Sequence, residues 1–158
     1  METIPLDRYR HELLQILDET FEHHHGIYLD KGTTLFETLA SVTAEEASRP
    51  ASPRSASIAA HVEHATFYLR VLQKAIGKQP LGVLDWNEIW RNAKPVSTER
   101  WDELRSELRE ERGRALTLLE TPGTWDGDEA LWGSMAIAIH TAYHLGAIRQ
   151  ILAVVRAT

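Results

Sequence analysis

DEALWGSMAIAIHTAYHLGAIRQILAVVRA, residues 128–157, is the stretch on which the fold turns. Its apolar residues occupy nearly every side of a helical projection, and a helix without a broad polar face is central in a bundle or lies between copies. His140 and His144 stand four apart within it, so both imidazoles project from one face about a turn from each other. Two polar rings in so apolar a segment cost free energy unless each finds a partner. A shared metal ion would satisfy one nitrogen of each; a backbone carbonyl or a carboxylate for each ring would serve as well.

Three more helices are expected upstream. Leu6, Tyr9, Leu13, Ile16 and Leu17 recur at helical spacing, and the pattern falters at His23-His24-His25-Gly26 and resumes in LFETLASVT, residues 35–43, which reads as a broken first helix. Ser57 caps a second helix, IAAHVEHATFYLRVLQKAI, which Gly77 ends. A third begins at Ser97 or Thr98, with Trp101, Leu104, Leu108 and Leu116 as its buried stripe, and Pro122 and Gly123 end it. Between the second and third lies GKQPLGVLDWNEIWRNAKPVS, a crossover pinned to the other helices by Trp86 and Trp90. The expectation is an all-α, four-helix bundle with a long crossover between helices two and three, one domain over residues 1–158.

Composition narrows the chemistry. With 17 basic against 23 acidic residues the formal charge is -6, the wrong sign for gripping nucleic acid or an anionic membrane. There is no cysteine, which excludes disulfides, thiolate zinc sites, iron–sulfur clusters and a cysteine nucleophile. METIPLDRYRHELLQ carries charges where a secretory signal needs an apolar run, and no apolar stretch approaches the roughly 18 residues of a membrane span, so a cytoplasmic protein is expected.

A third and a fourth imidazole strengthen the metal reading. His61 and His64 lie three apart on one face of helix two, within an otherwise apolar segment. Tyr68, four after His64, points into the same space as a pocket-lining or core residue, whereas Glu63 is turned about 100° away and is not counted as a ligand. Tyr143 faces away from His144 as a packing residue. Consecutive rings at His23, His24 and His25 diverge too far to share an ion and read as surface, with one of them within reach of the pocket mouth.

Ser57 with His64 seven residues later, and the run His140-x-x-x-His144-x-Gly146, resemble the DinB-like (DinB/YfiT-type) superfamily of metal-binding four-helix bundles. The resemblance extends to TLFETLASVTAEEAS and to DWNEIW in the crossover; it departs at Ala147, where many members have Gln. It implies His64, His140 and His144 as metal ligands, with His61 as an alternative ligand or a group behind them. Three neutral imidazoles leave a divalent ion its full charge and an open position, the arrangement of catalytic zinc sites, and imidazoles discriminate poorly among zinc, nickel, iron and manganese. Characterised relatives include S-transferases of low-molecular-weight thiols, so the resemblance implies a metal-dependent thiol S-transferase acting on a small molecule; a homodimer is expected from the apolar last helix. The alternatives are a non-catalytic, stress-associated metal-binding dimer and a metal-dependent hydrolase.

Overall fold

The computed structural model describes residues 2–158, and within them the chain is all-helical, with a single isolated antiparallel bridge, Pro50 to Ser57, outside the helices. Four helices are long: α1 (Leu6–Phe21), α4 (Ile58–Ile76), α6 (Thr98–Glu120) and α7 (Asp128–Ala157). Three are short: α2 (Leu35–Ala40), α3 (Ala44–Ser48) and α5 (Glu88–Asn92). No helix is long and apolar enough to cross a membrane.

The break after α1 has a physical cause. Glu19 is fully buried, and its carboxylate accepts backbone N–H bonds from Gly26, Ile27, Tyr28 and Leu29, drawing the chain back over the end of α1. Those four amides hold the carboxyl below its usual range against the opposing effect of burial. Gly26, at φ 76°, supplies the left-handed turn. LFETLASVT is not one resumed helix. Thr34 with Glu37 and Thr43 with Glu46 form two reciprocal capping boxes, each starting its own short helix.

Helix α4 packs against both α7 and α6, and α1 packs on α7. One cluster of buried side chains includes Leu17 and Phe21 of α1, Leu35 of α2, Val62 and Leu69 of α4, Trp101 and Leu108 of α6, and Ile137 and Leu145 of α7. Each such burial stabilises the fold by about 1.5–3 kcal/mol before entropy is counted. Trp101 buries its ring while its Nε1–H donates to the Val42 carbonyl at 2.8 Å, leaving no polar cost. Arg112 pairs with Asp18 and Glu22, tying α6 to α1, and Arg70 pairs with Glu111, tying α4 to α6.

One expectation, the packing role of Tyr143, needs correction here. The crossover, residues 77–97, contains the short helix α5, and α4 ends at Gly77 as expected, with the left-handed Lys78, φ 54°, following it. Helix α7 is not enclosed on all sides. Leu131, Trp132, Met135, Ile139 and Tyr143 form an exposed apolar strip, so Tyr143, read from sequence as packing, stands 69% exposed.

Candidate metal centre

The pairing of α4 with α7 brings the histidines together. On α4, His61, His64 and Tyr68 succeed one another at helical spacing along the face turned to α7; on α7, His140 and His144 meet them. One nitrogen from each of His64, His140 and His144 lies within 4.8 Å of the other two. His144 and His64 are buried, at 2% and 8% exposure, and His140 is half-buried.

Distances between nitrogens test whether an ion fits. His144 Nε2 and His140 Nε2 are 3.2 Å apart. Two ligands at roughly 2.0–2.1 Å from a tetrahedral zinc stand about 3.3 Å apart, so this pair is spaced like one edge of a coordination tetrahedron. His64 Nδ1 is buried and has no hydrogen-bond partner, an omission that costs about 1–3 kcal/mol in a site without a metal. A ring with an unpartnered buried nitrogen, in a trio that brings one nitrogen of each member within 4.8 Å of the others, fits a divalent ion by its donor chemistry.

Electrostatics point the same way. Burial pushes the His144 ring down to about 3, helped by the neighbouring His140, His61 and His64. Burial and the nearby His64 push His140 down to about 4. His61 and His64 are also lowered, both chiefly by burial. All four rings are therefore neutral at pH 7, with lone pairs free of competing protons.

His61 stands behind the trio. Its Nδ1 is 2.8 Å from Nδ1 of His144, on the side of that ring away from His140. One of the two nitrogens must carry the proton. If His144 gives its Nε2 lone pair to an ion, its proton resides on Nδ1 and is donated to His61, which fixes the tautomer of both rings.

Aromatic rings wall the centre. Tyr68 stacks on His140 with centroids 3.6 Å apart and an 11° interplanar angle. Trp90 lies 4.5 Å from the His64 ring and 5.4 Å from that of His61. Trp86 packs on Phe67 and Tyr68. Sequence reading weighed Trp86, Trp90 and Trp101 as cavity-lining rings but favoured a role in pinning the crossover, and it missed the contact of Trp90 with the imidazoles. His23 and His25 bond instead to Asp18 at the end of α1, and none of the three consecutive histidines contacts this cluster. Glu63 is exposed and turned away, as expected. No family model, curated protein or solved structure matches this chain.

Proposed function

We propose that this chain is a DinB-like four-helix bundle, residues 1–158, in which His64, His140 and His144 hold a divalent metal and a small-molecule thiol S-transferase reaction takes place. The observation that carries the reading is the convergence of three neutral, buried imidazoles, one with an unpartnered Nδ1. When bound, the ion supplies a Lewis acid with an open position that keeps a thiol ionised near neutral pH. Zinc, nickel, iron and manganese all suit such a donor set.

The chain's own residues supply the rest. His61 holds His144 in the tautomer that leaves Nε2 free. Tyr68 and Trp90 exclude water and fix the planes of His140 and His64. The thiol loses its proton to solvent, its sulfur forms a bond to an electrophilic carbon, and the leaving group departs with the electron pair. A sulfur nucleophile, once ionised, needs no general base. That suits rings whose hydrogen bonds, among the described residues, are with each other.

A panel of bacillithiol-, mycothiol- and glutathione-type thiols with alkylating electrophiles, assayed on metal-loaded protein, tests this. Turnover that falls at least about a hundredfold in His144→Ala supports the reading; turnover equal in that variant refutes it. Elemental analysis of untagged protein identifies the ion, and a metal content unchanged in His64→Ala and His140→Ala removes the centre. A second copy of this chain is proposed to cover the exposed strip on α7, which borders the site because the Tyr143 ring lies 5.1 Å from that of His144.

A further inference from the structure

Trp90, whose ring contacts His64, also lines a cleft of about 620 Å³. That volume falls within the roughly 300–1,000 Å³ usual for small-molecule sites. Two segments form it: residues 50–57, ahead of α4, and residues 93–95, after α5. Both are held in place. The Pro50 to Ser57 bridge closes the first segment at its base, and Ser55 Oγ accepts from the Ser52 N–H at 2.8 Å. The second is tied to α3 by the Val96 N–H, which donates to Ser48 Oγ at 2.9 Å. Pro50, Pro53 and Pro95 stiffen the walls.

The charges of this cleft are of one sign. Arg54 and Lys94 line it, and no carboxylate does. Neither cation has an acidic partner among the described residues, as is also true of Arg49, Lys74 and Arg149. Two unpaired cations in a chain of net charge -6, on fixed segments, make a local positive field where the molecule as a whole is negative. Trp90 is a wall of this cleft and also contacts His64, so a ligand seated here lies one ring away from the metal centre. An ion held by three neutral imidazoles would add uncompensated positive charge on that side.

We infer that this cleft is an anion site that shares Trp90 with the imidazole cluster: it binds the carboxylate or phosphate of a small molecule. The site stands on the cleft's own residues and does not rest on the metal-centre reading above.

The test uses zinc-loaded and metal-stripped full-length protein, followed by ¹H–¹⁵N NMR with thiol-free probes: glutarate, inorganic phosphate and the neutral diamide of glutarate. Saturable shifts at Arg54, at Lys94 and at the indole N–H of Trp90 are expected with an anion and not with the diamide. The stronger of glutarate and phosphate names the headgroup. The double variant Arg54→Ala/Lys94→Ala should weaken binding roughly tenfold or more. Absence of shifts at these residues with both anions, equal shifts with the diamide, or unchanged affinity in the double variant would overturn the inference. Because the probes carry no sulfur, a failed thiol panel beside a saturable anion titration sinks the transferase reading and leaves the anion site standing.

Discussion

At the scale of single residues, the contact between His61 and His144 bears on whether His61 is a ligand or stands behind one. Nδ1 faces Nδ1 at 2.8 Å, so in the proposed centre, with His144 Nε2 given to the ion, the His144 Nδ1–H donates to His61. His61→Ala removes the acceptor and should weaken metal binding by about 10–100-fold, the usual cost of losing a partner behind a ligand. His61→Asn keeps an acceptor oxygen near the position of Nδ1 and should restore most of that loss. Competition with a chromophoric chelator measures the affinity, and imidazole ¹⁵N shifts report the tautomer of His144. Equal affinity in both variants and wild type would leave His61 with a packing role only.

The same four rings set a pH response. Their folded-state values lie below the ordinary 6.5, to about 4 for His140 and about 3 for His144, with burial as the main cause. The sign follows: above pH 6.5 neither state takes up these protons, and below it the unfolded chain binds protons that the folded one refuses. Stability of the metal-free protein should therefore fall from pH 6.5 toward pH 4, by up to about 1.4 kcal/mol per pH unit for each such ring. Urea unfolding at stepped pH checks it. A flat acid limb in wild type, or no flattening in His144→Phe, would contradict it.

At the scale of elements, α4 and α7 meet through a close approach that a single glycine permits. A Cβ on buried Gly133 would stand 2.7 Å from Cγ1 and 3.1 Å from Cδ1 of Ile76. Alanine gains up to about 1 kcal/mol of helix propensity, but overpacking a stiff β-branched neighbour costs about 1–3 kcal/mol. Gly133→Ala should therefore lower stability by about 1 kcal/mol and Tm by about 2–4 °C. In an Ile76→Ala background the same change should be neutral or stabilising, and thermal melts of the four proteins of this cycle decide it.

The long helices and the spacing of their histidines were legible because a 3.6-residue period survives in sequence, as in His140 and His144 or His61 and His64. The capping boxes at Thr34 and Thr43 were legible too, in the T-x-x-E pattern, yet the reading passed over them in favour of one resumed helix. Trp90 was not legible. Its position depends on how residues 77–97 drape over α4, and that stretch has no period that would fix which ring meets which helix. Tyr143 was misjudged for a related reason: an apolar helix can bury every side or leave one for a partner, and composition alone does not choose.

At the scale of the whole molecule, the strip on α7 calls for an occupant. Trp132, Met135, Ile139 and Tyr143 are 49%, 42%, 69% and 69% exposed, and exposed Gly146 continues the line with open space above it. A helix runs about 1.5 Å per residue, so from Leu131 to Val154 the strip is roughly 35 Å long. The acids of α7, Asp128 and Glu129, stand at its start, and its arginines, Arg149 and Arg156, stand near its end. Two copies crossing antiparallel about a twofold axis near Ile139 would place the acids of each beside Arg149 of the other, a self-complementary arrangement. Ile139 would then face its own symmetry mate. Ile139→Glu sets two carboxylates against each other in an apolar contact and should turn a dimer into a monomer at micromolar concentration, read by sedimentation velocity. Val83→Glu, at a fully exposed position in the crossover away from the strip, should leave the dimer intact. A wild-type protein that sediments as a monomer at tens of micromolar, or an Ile139→Glu variant that stays dimeric, would assign the strip to some other partner.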